Sequence, residues 1–246
     1  MKKYIISAVF LVMMLFALSA SAESVSVNGR DVAFSTETGI PYVNSDYRTM
    51  VPVRVISENL GADVAWDEAE QKVTVTTTEH KVELFVGSSD MIADGVKKQM
   101  DTQVVEKGGR TYLPVRYIAE SIGCYVFWFD YKEKAVILDG EHYDKYVTFR
   151  DMFSYNATLS DYTEVVIITA TSEGIMTLEN MKAFWAGLSV DEQNTFVTLA
   201  TMEKHEKNPQ YPISVAYIFK DETGAQHYLA TASTFSYDVQ LFNVFE

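Results

Sequence analysis

Arg48–Trp66 reads RTMVPVRVISENLGADVAW, and Arg110–Trp128 reads RTYLPVRYIAESIGCYVFW. The copies align without a gap from Arg48 and Arg110 to Val75 and Ile137, with Arg, Thr, Pro, Val, Arg, Ile, Glu, Gly, Val, Trp and Lys at matching places. Such repetition marks two copies of one supersecondary unit. In each copy an apolar strand runs into Pro52 or Pro114, whose fixed φ suits the first turn of a helix. Val53, Ile56 and Leu60 fall on one face at helical spacing, and Ile118 and Ile122 line the inner face of the second helix. Gly61 or Gly123 then supplies the left-handed residue that stops the helix. The strand that follows carries Trp66 or Trp128. Its half-buried character leads us to expect Trp66 packed in the core beside the helix rather than stacked on a sugar.

Working outward, Ser24–Val27 and Asp31–Phe34 flank Asn28-Gly29, and Ile92-Ala93 and Val96–Met100 flank Asp94-Gly95. Both dipeptides suit the positive φ values of a tight hairpin turn. Ile40–Val43 with Thr49–Val51, and Val104-Val105 with Thr111–Leu113, form a second pair in each copy. Closing hairpins follow, at Val64–Trp66 with Lys72–Thr76 and at Tyr125–Phe129 with Ala135–Leu138. Val82–Val86 alternates as a further strand. The copies are expected over residues 24–77 and 81–139. Arg54 and Glu58, like Arg116 and Glu120, lie four apart on a helix; an Arg tying helix to sheet is the preferred reading over an anion grip.

An Asn-Gly hairpin, then RTxVPVRxIxExLG, then VxW and a closing hairpin resembles the copper amine oxidase-like N-terminal domain, also called the stalk domain, over roughly Ser24–Gly140. The resemblance implies an antiparallel sheet wrapped around a helix in each unit, and a secreted bacterial protein of the cell envelope. It does not imply the oxidase reaction. That chemistry needs a quinone-forming Tyr in an Asn-Tyr setting and three His on copper. The chain has no Asn-Tyr dipeptide, and its only His residues are His80, His142, His205 and His227, with no His-x-His pair.

Past Gly140 the repeat ends. His142–Phe153 is rich in aromatics and suits an irregular helix whose rings serve packing rather than a sugar-binding strip. Thr163–Ala170 is a continuous β-branched run, as in a well-buried strand. Thr177 caps a helix carrying Met181, Phe184 and Trp185. Ser189 and Glu192 form a capping box for another, running to about Lys204. Ile213–Lys220, His227–Thr234 and Ser236–Val244 read as a three-strand meander. The fold class is therefore α+β: two tandem β-rich units, each with one short helix, then an α+β domain of one strand, two helices and a three-strand antiparallel meander.

The chain opens MKKYIISAVFLVMMLFALSASAE, with Lys2 and Lys3, an apolar run Ile5–Leu18 and a small-residue site at Ala20–Ala22. This is the pattern of a signal peptide, residues 1–22, and implies export. The duplicated domain is then 23–140, and the C-terminal domain 141–246. Loss of Lys2 and Lys3 takes the formal charge from −14 to −16, a surface that repels nucleic acid and anionic lipid. Cys124 stands alone, so no intramolecular disulfide forms; it is expected to be a small buried side chain.

No catalytic, cofactor-binding or metal-ligating residue is assigned. Glu173, Glu179, Asp191 and Glu192 fall at caps and loops, His205 near a helix C-terminus, and no G-x-S-x-G, H-E-x-x-H, Walker or Rossmann pattern occurs. The expectation is a non-catalytic secreted envelope protein without a cofactor: a stalk-like spacer or binding module whose partner is a wall polymer, a peptide or a surface protein. It would bind no nucleic acid and stay out of the membrane after signal cleavage. The alternatives are a secreted hydrolase with its site in the C-terminal domain, tested at His205 and His227, and a weak divalent-cation binder.

Overall fold

In a computed structural model of the chain, the described residues are 24–129, 133–152, 157–160, 163–169, 177–207, 214–233 and 238–242. They fall into two compact units, one drawn from residues 24–25, 32–122 and 128–135, the other from 26–31, 123–127 and the described residues after 135. The first copy comprises β1 (Ser24–Val27), β2 (Arg30–Asp31), β3 (Tyr42–Val43), β4 (Thr49–Pro52), α1 (Val53–Asn59), β5 (Asp63–Asp67) and β6 (Lys72–Thr76). The second comprises β7 (Lys81–Phe85), β8 (Asp90–Ala93), β9 (Val96–Gln99), β10 (Val105–Glu106), β11 (Thr111–Pro114), α2 (Val115–Ser121), β12 (Tyr125–Phe129) and β13 (Lys134–Leu138).

The local signals act as the residue chemistry requires. Asn28 and Gly29 have φ 51° and 88°, Asp94 and Gly95 51° and 78°. Pro52 and Pro114 stand at the N-caps of α1 and α2 with φ −63° and −57°. Gly61 and Gly123, at φ 74° and 78°, follow the helix ends.

What the sequence did not disclose is that the sheets are shared between the copies. A central sheet has the order β10-β11-β4-β3. Its middle pair, β4 against β11, is antiparallel and joins Val51 to Leu113, Met50 to Pro114 and Pro52 to Tyr112. Met50, Val51 and Leu113 are fully buried there, and α1 meets α2. A five-stranded sheet runs β5-β6-β7-β8-β9, and a four-stranded one β12-β13-β1-β2. Thus the closing hairpin of one copy lies beside the opening hairpin of the other. β6, β7 and β8 are successively antiparallel, so β6 and β8 run the same way. In the other sheet Ser24 N–H bonds Glu133 O at 3.1 Å and Asn28 N–H bonds Ile137 O at 2.8 Å, a constant offset that makes β13 and β1 parallel. The two sheets share one plan, into which the second copy inserts β7.

Beyond the repeat come α3 (Gly140–Met152), β14 (Ala157–Ser160), β15 (Thr163–Thr169), α4 (Leu178–Ala186), α5 (Val190–Lys207), β16 (Ser214–Lys220), β17 (Gln226–Ser233) and β18 (Val239–Leu241). The sheet order is β14-β15-β16-β17-β18. β15 pairs parallel with β16, since α4 and α5 carry the chain back across, and the remaining pairs are antiparallel. The expected strand, helix pair and meander are present; β14 is additional. Thr177 Oγ1 accepts from Asn180 N–H at 3.1 Å. Ser189 N–H reaches Glu192 Oε2 at 2.7 Å while Glu192 N–H reaches Ser189 Oγ at 3.2 Å, a complete capping box.

Tyr146, Phe149, Phe196 and Tyr217 are fully buried in the second unit, with the Phe149 ring 6.1 Å from those of Phe196 and Tyr217. Burial of an aromatic ring of this size contributes roughly 1.5–3 kcal/mol. The aromatic run of α3 is thus packing; Phe153 lies outside the described residues. The turn of the β1–β2 hairpin belongs to this unit and presses on α5: a Cβ on Gly29 would stand 2.9 Å from Asp191 C and O.

Candidate ligand groove

A groove of about 740 Å³ opens in the first unit, between the 35–39 loop, the start of α1, β5 and the turn joining β10 to β11. Each wall is locally braced. Thr38 N–H and Ser35 Oγ are 3.1 Å apart, and Gly39 N–H bonds Ser35 O at 2.8 Å. Gly39 has no room for a side chain, because a Cβ would come within 2.6 Å of the Tyr112 hydroxyl and 2.8 Å of Pro52 Cγ. Gly108 and Gly109 adopt φ 63° and 74°, and Gly109 N–H donates to Glu106 Oε1 at 2.6 Å.

The two arginines of the groove are tied to main-chain carbonyls. Arg54 Nη1 donates to Val64 O at 3.2 Å and stands 3.3 Å from Glu58 Oε1. This is the helix-to-sheet tie expected of it. Arg116 and Glu120 repeat the ion pair at 3.5 Å. Arg110 Nε donates to Glu37 O at 2.8 Å, and another of its nitrogens to Gly108 O. The matching Arg of the first copy, Arg48, reaches Asp101 Oδ2 from Nε at 2.9 Å and from Nη2 at 2.7 Å. Arg48 and Arg110 therefore each anchor a loop of the other copy.

Trp66 departs from expectation. Its place on the strand is as foreseen, opposite Val73, but the ring is 39 % exposed on the groove rather than packed in the core. Nε1 donates to Glu68 Oε2 at 2.6 Å, and Gln71 Nε2 holds the other oxygen of that carboxylate at 3.2 Å. Trp66 sits one residue from the end of β5, where no further element of the described residues covers it. Trp128 is half-buried.

The other residues singled out from the sequence are occupied elsewhere. Burial, with the charge of Asp139 second, pushes the Cys124 thiol up to about 11 and keeps it protonated. His142 Nδ1 is 2.7 Å from Asp139 Oδ1, which also accepts the His142 N–H at 2.9 Å, and Asn28 Nδ2 holds the other oxygen at 2.7 Å. Burial favours the neutral Asp139, but these donors outweigh it and lower its pKa. His227 Nε2 stands 2.9 Å from Asp221 Oδ2, while Asp221 Oδ1 accepts from Thr223 N–H and Ala225 N–H at 2.9 Å each. His227, then Thr223, hold the Asp221 carboxyl far below its ordinary range. Glu179 and Asp191 lie in the first turns of α4 and α5. Glu173 lies outside the described residues, as does the side chain of His205 on α5. Among the described residues no group of three or more His, Cys, Asp or Glu side chains could hold a metal ion, and no helix is long and apolar enough to cross a membrane.

Sequence reasoning missed Glu37, Glu106 and the Gly108-Gly109 turn as neighbours of Trp66. The pairing of β4 with β11 brings these distant segments together. Fold and groove together define a duplicated, sheet-rich α+β module with one short helix per copy. Residues 26–138 match the copper amine oxidase N-terminal domain, a stalk-like domain, and the match is to that domain rather than to the catalytic one. No curated protein matches the chain significantly.

Proposed function

We propose that the protein is a secreted, non-catalytic module of the cell envelope, in which the duplicated stalk-like half holds a ligand and the C-terminal half supplies a further interaction surface. The observation that carries this reading is the groove at Trp66: a large indole left 39 % exposed between braced walls, where its copy-two counterpart is half-buried. Exposed aromatic rings between fixed walls are characteristic of binding surfaces. The chemistry elsewhere supports a role without turnover. Cys124 is protonated, His227 is engaged by the turn at Asp221, and His142 is engaged at the start of α3.

The test is sedimentation of the mature protein with purified cell wall, beside pull-down of surface proteins. Retention that falls when Trp66→Ala is introduced supports the reading. Failure to bind wall, glycans or any surface protein removes it.

A further inference from the structure

We propose that the groove receives an extended, positively charged peptide segment, added as a strand along the free edge of β5. This rests on the reading of the groove as a binding site and specifies its ligand.

The first argument is the direction of main-chain groups. β5 is the terminal strand of its sheet. On β6, Gln71 O accepts from Val86 N–H at 3.0 Å and Thr77 N–H donates to His80 O at 2.8 Å, so odd-numbered residues of β6 turn their main chain toward β7. Even-numbered residues turn toward β5, where Thr76, Thr74 and Lys72 face Asp63, Ala65 and Asp67. The alternation of an antiparallel ladder then directs the N–H and C=O of Val64 and Trp66 out of the sheet, along the groove. Arg54 bonds Val64 O from that side, as this parity requires. The remaining outward groups form a template for one more strand.

The second argument is charge. Glu37, Glu58, Glu68 and Glu106 line the groove against Arg54 and Arg110, both of which already donate to carbonyls. Asp63 and Asp67 add carboxylates along the same strand. The opposite edge of this sheet, β9, carries Lys97 and Lys98, the usual guard against strand addition. Among the described residues the β5 edge has no such guard; its surroundings repel an acidic segment and attract a basic one. The exposed face of Trp66 gives a Lys or Arg side chain a ring to lie on.

The experiment uses the full mature chain and acetyl-Lys-Val-Lys-Val-Lys-amide, titrated by calorimetry at low and high salt. Controls are the same peptide with Glu for Lys, spermine, and the neutral glycan chitohexaose. The lysine peptide should bind, with affinity falling about tenfold or more as salt screens the site. Trp66→Ala should weaken it about tenfold. Val64→Pro removes an outward N–H, which an edge strand tolerates, and should weaken it to a similar, roughly tenfold extent. Equal binding of the glutamate peptide or of spermine, indifference to Val64→Pro, or self-association of the chain through this edge in place of peptide binding would each overturn the proposal. Trp66-dependent binding of chitohexaose without peptide binding would overturn the strand while leaving the binding module intact. No binding of any probe, together with no retention on wall, would remove both.

Discussion

Ser57 offers the sharpest test of the duplicated fold. It sits on α1, is fully buried, and its hydroxyl has no hydrogen-bond partner among the described residues. The matching residue of α2 is Ala119, also fully buried. A buried hydroxyl left without a partner costs about 1–3 kcal/mol of desolvation. Ser57→Ala removes that cost and gains about 0.5 kcal/mol of helix propensity. Against this stands the small void left by one oxygen, about 0.5 kcal/mol at the usual cost per cavity volume. The net expectation is a gain of about 1–3 kcal/mol, or a rise in Tm of roughly 2–12 °C for a chain of this size. The reciprocal Ala119→Ser should lose a similar amount. Urea titration followed by circular dichroism measures both. A loss of about 1 kcal/mol or more in Ser57→Ala would refute the reasoning, since it would mean that the hydroxyl bonds a helix carbonyl such as that of Val53.

Four further outcomes follow from the geometry. Gly29→Ala places a Cβ at φ 88° and 2.9 Å from the Asp191 backbone, so the second unit should lose at least about 1 kcal/mol in the same titration. Ser189→Ala removes half of the capping box and should cost about 1 kcal/mol. Burial acts to raise the pKa of Glu192, but the Ser189 N–H and hydroxyl and Lys145 outweigh it, so the net pKa lies below the usual 4.5. Its contribution is then present above the unfolded pKa and lost as pH falls through the lower folded value, and the penalty of Ser189→Ala should shrink in acid below that range. Cys124, with its thiol near 11, should resist iodoacetamide at pH 8 in the native chain and react on unfolding, as peptide mass analysis would show. Arg48→Ala should cost no more than about 1 kcal/mol, because the Arg48–Asp101 pair is about half exposed on both sides.

Local chemistry was legible and long-range pairing was not. Asn28-Gly29, Asp94-Gly95, Pro52, Pro114, Gly61 and the Ser189–Glu192 box act within a few residues, so their meaning does not depend on what lies across the fold. The sharing of sheets depends on β4 meeting β11 and β13 meeting β1, contacts between residues far apart in the chain that alternate no differently from any other strands. Trp66 was misplaced for a related reason. Its strand position predicts the side of the sheet it occupies, but only the elements beyond β5 decide whether anything lies over it, and among the described residues none does. β14 escaped because Ala157–Ser160 carries too little apolar character to stand out as a strand.

The β4–β11 contact has the geometry of a self-complementary interface. Met50, Val51 and Pro52 meet Pro114, Leu113 and Tyr112 with like strands running oppositely, the arrangement by which identical subunits self-complement about a two-fold axis. A gene encoding one copy alone would yield a monomer with that apolar strand bare, and such a product would be folded only above the concentration at which it dimerises. Fusing two genes end to end makes the encounter intramolecular and removes the dilution threshold. It also frees each half to drift from its twin, and only the first now carries an uncovered indole.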